Sequence, residues 1–171
     1  MKKLSLLLAA LLILSSTVVS AEWETFKSAD GMYEYTKDGV ITAYYGDEFA
    51  FFPAEIDGTK INEIGVMACF DLGLEAISVA EGIELINTNA FEGCNAESAY
   101  IPSSVKNIGE RAFANCANLN EVTLNSEEIT FDFDVFAGTG FIQFYIPCTA
   151  DEHVMYEKIS DAKGDGNFSF S

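Results

Sequence analysis

The sequence has few of the residue types on which catalytic and nucleic-acid-binding sites depend. Its 171 residues include one histidine, one tryptophan and three prolines, and only nine lysines and arginines stand against 27 aspartates and glutamates. A single imidazole, His153, excludes a metal site that is built on paired histidines. The formal net charge of −18 at pH 7 would repel nucleic-acid phosphates and an anionic membrane surface alike. We expect the carboxylates, which are spread along the chain, mainly to keep the protein soluble.

Motifs that would indicate catalysis are also missing. No nucleophile motif lies near His153, and no glycine-rich phosphate loop precedes a predicted helix. Cys148 is followed by acidic residues, whereas a reactive thiolate requires an electropositive setting. The segment 161–167 resembles a calcium loop only in part, because Lys163 occupies the third position, where an oxygen ligand is needed. We therefore predict that the protein is not an enzyme and uses no cofactor and no metal.

The first 21 residues have the composition of a secretory signal peptide. Lys2 and Lys3 precede an apolar run from Leu4 to Leu14, and small residues lead up to Ala21. The apolar run is shorter than the roughly 20 residues that a transmembrane helix needs. We predict cleavage after Ala21 and a secreted or cell-surface protein without a membrane span in the mature chain. A retained N-terminal anchor is the alternative.

A segment of nine residues recurs after 22 positions, and this repeat is the strongest pattern in the sequence. Residues 86–94 read INTNAFEGC, and residues 108–116 read IGERAFANC. Self-similarity at a fixed period of this size is typical of a solenoid. Solenoids usually act through an extended surface rather than a catalytic pocket, so the repeat also bears on function.

Apolar residues recur at steps of 22 or 23 positions in three columns. The columns are Val79, Ile101, Leu124 and Ile146; Ile64, Ile86, Ile108 and Phe131; and Cys69, Phe91, Phe113 and Phe136. Such columns let each turn cover the apolar face of its neighbour. Alternation within residues 120–124, where Val122 and Leu124 point inward, indicates one short strand per turn. We predict an α/β solenoid of about four turns with parallel β-strands, in which Phe91, Phe113 and Phe136 have a structural role.

Cys94 and Cys116 occupy the same position in successive turns, where we also predict a structural role. Adjacent turns whose strands pair lie about 4.8 Å apart, so a disulfide between them is conceivable. We favour two stacked buried thiols, because a small apolar side chain suffices at this position. Cys69 and Cys148 lie too many turns apart to pair easily.

Residues 101–119, IPSSVKNIGERAFANCANL, resemble the repeat unit of BspA-like leucine-rich repeat proteins. Segments within residues 35–65 resemble the first strands and first turn of that family, and residues 146–158 resemble its closing turn and cap. The resemblance implies a short leucine-rich-repeat stack with an N-terminal hairpin and a C-terminal cap. Cys69 departs from the family pattern, which usually has phenylalanine there, and Asn125 replaces a proline.

These observations predict a division of the chain into four parts. They are a signal peptide at 1–21, N-terminal capping strands at 22–63, the leucine-rich repeat solenoid at 64–147, and a C-terminal cap with a flexible tail at 148–171. The loop Ile56-Asp57-Gly58 lengthens the first turn. We expect it to help start the solenoid rather than to bind a ligand.

The outward positions of the predicted strands form the candidate binding face. The candidate ligand-binding residues are Phe51, Ser78, Tyr100, Glu121, Thr123, Gln143 and Tyr145. Tyrosine suits recognition because it combines a large stiff contact area with a polar tip, although exposed tyrosine also supports cross-strand packing. We predict a secreted non-catalytic module that binds a protein or glycan ligand at a cell surface, and the resemblance adds adhesion to host or neighbouring cells. The alternative is a structural or accessory envelope protein that assembles with itself or a larger complex and has no external ligand.

Overall fold

The computed structural model describes residues 24–164 and 167–171, so the predicted signal peptide lies outside the described residues. The chain forms a solenoid in which two mostly parallel sheets run along the axis. Sheet 1 contains, in spatial order, β1 (Thr25–Lys27), β2 (Tyr33–Thr36), β3 (Val40–Tyr44), β7 (Glu63–Ile64), β9 (Leu85–Ile86), β11 (Asn107–Ile108) and β13 (Thr130–Phe131). Sheet 2 contains β4 (Phe49–Phe52), β8 (Ala76–Val79), β10 (Ser98–Ile101), β12 (Glu121–Leu124), β14 (Ile142–Tyr145) and β15 (Phe168–Phe170). A small hairpin, β5 (Glu55–Ile56) and β6 (Thr59–Lys60), and helix α1 (Glu152–Lys163) complete the described elements.

The solenoid has about six turns, so the prediction of four turns is wrong. Sheet 2 contributes one strand per turn, and the three internal steps of 22 or 23 positions agree with the repeat. Most turns add a second strand, which lies in sheet 1, so the prediction of a single strand per turn is also wrong. The first step, from Phe49 to Ala76, is 27 positions, and the last, from Ile142 to Phe168, is 26 positions. The hairpin β5–β6 lengthens the first step and α1 lengthens the last. The two terminal turns therefore depart from the period of 22 or 23 residues, and this is why the repeat pattern in the sequence does not reveal them.

The three predicted columns form the core of the solenoid, with Phe131 and Ile146 partly buried against it. In sheet 1, Ile86 pairs in register with Ile64 and Ile108, and Ile108 pairs with Phe131. The rings of Phe91 and Phe113 stack with centroids 5.1 Å apart, and those of Phe113 and Phe136 with centroids 5.7 Å apart. All three rings are fully buried. Stacked rings add to the free energy that burial of their apolar area contributes.

The third side of the solenoid consists of irregular turns in which two residues per turn have left-handed backbone conformations. The first of these positions is occupied by Met67, Asn89, Arg111 and Asp134, and the second by Asp71, Gly93, Asn115 and Gly138. Between them, the amide of Phe91 donates to the carbonyl of Ala112 at 2.8 Å, and that of Phe113 to Val135 at 2.9 Å. These bonds join each turn to the next, so this side is held together without a helix or a regular strand.

All four cysteines are free, which confirms the preference for thiols over a bridge. The thiol of Cys94 donates to the carbonyl of Cys69 at 3.1 Å, and that of Cys116 donates to Phe91 at 3.1 Å. Burial raises the pKa of Cys94 to about 11 and that of Cys116 to about 12. Both groups are therefore neutral and unreactive at neutral pH.

The N-terminal end of the core is closed by an antiparallel unit of β1, β2 and β3. The rings of Tyr33 and Tyr44 lie 5.5 Å apart, and Tyr44 lies 5.4 Å from Phe52. Phe52 meets Phe91 edge-on at 5.2 Å, so the aromatic packing of the core continues into this end of the solenoid. The carboxylate of Asp57 accepts from the amide of Ala29 at 2.8 Å, which ties the hairpin β5–β6 to this unit.

The C-terminal end is covered by α1 and extended by β15. The side chain of Asp151 accepts from the amides of His153 and Val154 and so begins the helix. The helix buries Met155, Ile159 and Ala162, which recur at helical spacing, against the last turn. Strand β15 then pairs with β14. This differs from the predicted flexible tail, because Phe168 and Phe170 lie 5.8 and 6.3 Å from the ring of Phe144.

Candidate binding face

The side chains that point outward from sheet 2 form two parallel rows across its strands. The first row contains Phe49, Ala76, Ser98, Glu121, Gln143 and Ser169. The second contains Phe51, Ser78, Tyr100, Thr123 and Tyr145. All seven predicted ligand-binding residues lie in these rows. Their use in binding stays a prediction.

Strict alternation along each strand produces the two rows. In β12, Val122 and Leu124 are buried while Glu121 is exposed and Thr123 is partly exposed. The same alternation in β4 buries Ala50 and Phe52, so Phe49 and Phe51 must face outward. The chemistry of this face can therefore change without disturbing the core beneath it.

Four aromatic side chains lie exposed on this face. The exposed fraction is 66% for Phe49, 52% for Phe51, 45% for Tyr100 and 40% for Tyr145. Sequence reasoning included the last three and missed Phe49. Its position two residues before Phe51 was the available signal, because residues two apart in a strand share a face.

Small side chains leave a depression between the aromatic residues of the first and third turns. Ala76, Ser78 and Ser98 form its floor, while Phe49 and Phe51 stand on one side and Tyr100 on the other. The depression has a volume of about 480 Å³. We call this feature the aromatic trough. It is a shallow, solvent-exposed depression rather than an enclosed cavity, so it suits a ligand that lies on the sheet better than an enclosed small molecule.

The C-terminal half of the face is more polar and partly occupied by its own hydrogen bonds. The hydroxyl of Ser169 donates to Gln143 Oε1 at 2.6 Å, and Gln143 Nε2 donates to Ser171 Oγ at 2.9 Å. Gln143 is therefore already bonded within the sheet, which makes it a weaker candidate than the aromatic residues.

A polar cluster that sequence reasoning missed lies on the third side of the solenoid. The nearly buried carboxylate of Glu92 accepts from Arg111 Nη2 at 2.5 Å, from Asn115 Nδ2 at 2.9 Å and from the side-chain amide of Asn89. The bond from Arg111 is the main cause that holds the pKa of Glu92 below its usual value. Because the donors come from two successive turns, the cluster joins turns rather than forming an open site.

Over the described ranges, the structure contains neither a cluster of metal-binding side chains nor a helix that could cross a membrane. Within residues 24–164 and 167–171, no group of three or more histidine, cysteine, aspartate or glutamate side chains is placed to hold a metal ion. In the same part of the chain, no helix has both the length and the apolar character that crossing a bilayer requires.

One solved structure in particular shares this architecture. A leucine-rich repeat protein from Bacteroides capillosus superposes with a TM-score of 0.62 at 22% identity, covering 72% of this chain and 98% of that one. A leucine-rich repeat protein of T. pallidum (19% identity, 75% and 70% covered, TM-score 0.43) and the pneumococcal vaccine antigen PcpA (10% identity, 74% and 50% covered, TM-score 0.40) are more distant. Among curated protein sequences, none matches significantly.

The repeat pattern itself identifies the family. The BspA type leucine rich repeat region matches residues 47–156 in six copies, which is more than half of the chain. The match begins just before β4 and ends inside α1, so it covers the turns that carry the candidate face. The chain therefore belongs to the BspA-type leucine-rich repeat family.

Proposed function

We propose that this protein is an extracytoplasmic recognition module, which binds a protein or glycan ligand at a cell surface through the outward face of sheet 2. The observation that carries the proposal is the exposure of Phe49, Phe51, Tyr100 and Tyr145 on one continuous face. Other aromatic side chains, such as Tyr45 and Phe133, are exposed elsewhere, but these four share the outward face of a single sheet. Covering such rings with a ligand removes apolar area from water and stabilises the complex.

Family membership supports a binding or structural role over a catalytic one. Repeat proteins of this kind present extended surfaces built from many turns, and each turn adds one strand to the face. Attachment to a host or neighbouring cell is the form of binding that we propose, and it is consistent with the predicted signal peptide. The residues that we assign to it are Phe51, Ser78, Tyr100, Glu121, Thr123, Gln143 and Tyr145, to which the exposure of Phe49 adds one more.

A binding screen tests this proposal. Residues 22–171 would be immobilised and presented with extracellular-matrix proteins and with glycans, and each interaction would be repeated with Tyr100→Ala and Tyr145→Ala. We expect the double variant to bind its ligand at least about tenfold more weakly, because truncating a central aromatic residue of an interface typically has an effect of this size.

Phe133→Ala provides a matched control. Phe133 is 69% exposed but lies in the turn region after β13, away from sheet 2. Binding that survives the two tyrosine substitutions and is lost in Phe133→Ala would contradict the proposal and move the site to another side of the solenoid.

A second candidate function, self-assembly within the envelope, is favoured by one observation. Sheet 2 ends at β4, which pairs with β8 on one side and with no described strand on the other. Open strand edges can pair with another chain. Sedimentation of residues 22–171 over a range of concentrations would distinguish the two functions. Association that Phe49→Lys abolishes would support assembly, whereas a monomer at every concentration would contradict it.

A further inference from the structure

We infer that the aromatic trough accepts an extended polypeptide segment rich in lysine or arginine. This inference rests on the proposed function of sheet 2 and names the chemistry of its partner. It concerns the N-terminal half of the face, where β4, β8 and β10 lie side by side.

Three glutamates form a column at the N-terminal ends of the strands that carry the trough. Glu48, Glu75 and Glu97 immediately precede β4, β8 and β10, and all three are exposed. The amide of Glu75 donates to the carbonyl of Glu48 at 2.7 Å, and that of Glu97 donates to Glu75 at 2.8 Å. The column therefore follows the strand spacing of about 4.8 Å, at which like charges on neighbouring strands repel. Glu121 adds a fourth carboxylate in the first outward row.

Among the described residues, no salt bridge joins these carboxylates to a basic side chain. The described residues form three salt bridges, in which Lys106, Arg111 and His153 pair with glutamates outside the column. The trough itself is lined by aromatic, aliphatic and small polar residues and by one carboxylate, Glu121, with no lysine or arginine. A positively charged partner would relieve the repulsion within the column, and an acidic glycan or nucleic acid would increase it.

Lysine and arginine also fit the aromatic part of the trough. Their aliphatic stems can lie on the rings of Phe49, Phe51 and Tyr100 while their charged ends reach the glutamate column. A cation over an aromatic face gains a further electrostatic attraction. An extended segment presents alternate side chains to one face, so every second residue can enter the trough. This combination distinguishes a cationic polypeptide from a neutral glycan, which would use the rings alone.

Fluorescence anisotropy with labelled short peptides tests the inference. The probes are a peptide of alternating lysine and valine and two matched peptides in which glutamine or glutamate replaces lysine. We expect residues 22–171 to bind the lysine peptide at least about tenfold more tightly than the glutamine peptide. The glutamate peptide should not bind.

We expect Glu75→Gln/Glu97→Gln and Phe51→Ser each to weaken binding of the lysine peptide about tenfold.

Two controls separate this site from general attraction to an acidic protein. Glu110→Gln/Glu128→Gln removes the same number of charges from exposed positions outside sheet 2, and should change binding less than twofold if the site is specific. Phe51→Tyr should restore the binding that Phe51→Ser loses, and unchanged thermal unfolding of each variant would show that the fold is intact.

The inference would be overturned if Glu75→Gln/Glu97→Gln and the control Glu110→Gln/Glu128→Gln weakened binding of the lysine peptide equally. It would also be overturned if the glutamine peptide bound as tightly as the lysine peptide. In either case, loss of a matrix ligand in the Tyr100→Ala/Tyr145→Ala variant would leave the proposed function standing. If that variant also binds normally, both the inference and the proposed function fail.

Discussion

At the scale of single residues, Glu92 contributes most clearly to the joining of neighbouring turns. Its carboxylate accepts from Asn89 in its own turn and from Arg111 and Asn115 in the next. Hydrogen bonds that involve a charged group are stronger than neutral ones, and a nearly buried carboxylate without partners is unfavourable. The cluster therefore explains why an acidic side chain is tolerated among apolar turns.

We predict that Glu92→Gln lowers the free energy of unfolding by about 1–2 kcal/mol at pH 7, because it removes the charge from these bonds. The pKa of Glu92 is lowered in the folded protein, chiefly by the bond from Arg111. Its contribution is therefore present above the unfolded pKa, near 4.5, and is lost as the pH falls through the lower folded value.

Thermal unfolding of wild type and variant at pH 7 and at strongly acidic pH checks this. The difference between them should be largest at pH 7 and should shrink in acid. Glu127→Gln, at an exposed position, serves as the control and should have little effect at either pH. A difference that persists unchanged in acid would assign the effect to packing instead.

At the scale of the element, the irregular turns of the third side determine where particular residue types are needed. Asn89 and Asp134 have φ values of 56° and 57°, and asparagine and aspartate adopt this left-handed conformation more readily than other non-glycine residues. Met67 occupies the equivalent position with φ 56° and an exposed side chain. Methionine has no local hydrogen bond with which to offset the steric cost of this conformation.

We predict that Met67→Asn stabilises the protein by about 1 kcal/mol, because it relieves this cost without removing a buried contact. The midpoint of thermal unfolding should rise accordingly. Val66→Asn, at the exposed neighbouring position, provides the comparison, since Val66 is not among the residues with positive φ. Equal stabilisation by both substitutions would show that the effect comes from replacing exposed apolar surface.

Sequence reasoning succeeded where the elements repeat and failed where they do not. The spacing of Ile86, Ile108 and Phe91 predicted that these residues are buried at equivalent positions of successive turns, because identical turns must bury identical positions. It did not predict that Ile86 and Ile108 belong to a second sheet, or that the ring of Phe91 stacks on its neighbour. It could not predict that Phe52 packs edge-on against Phe91, since that contact joins a strand of one turn to the core of the next. Helix α1 was also missed, although its signals, an Asp151 cap and apolar residues at helical spacing, were present.

The candidate face was predictable in part for the same reason. Alternation placed Phe51, Tyr100 and Tyr145 outward from the sequence alone. The trough required the register between β4 and β8, which crosses an insertion that obscures the period. The glutamate column depends on that register too, because Glu48 joins Glu75 only once the longer first step is known.

At the scale of the whole molecule, the proposed location depends on the N-terminal segment. We predict that expression of residues 1–171 in a bacterial host yields an exported protein whose first residue is Glu22, because a basic start and a short apolar run direct export and cleavage. Mass spectrometry of the exported fraction measures this directly. Leu7→Arg/Leu11→Arg interrupts the apolar run and should keep the protein unprocessed in the cell. Recovery of the intact chain from membranes would instead support a retained anchor.

The ring stack has a consequence for how such a molecule can change in length. Phe91, Phe113 and Phe136 repeat the same contact, so a complete unit inserted or removed between them would rejoin equivalent positions. The two ends, closed by different elements, would be unaffected. The outward rows would lengthen or shorten by one strand spacing, about 4.8 Å. The packing of the interior therefore fixes the spacing between neighbouring strands, whereas the total length of the binding face can change with the number of turns.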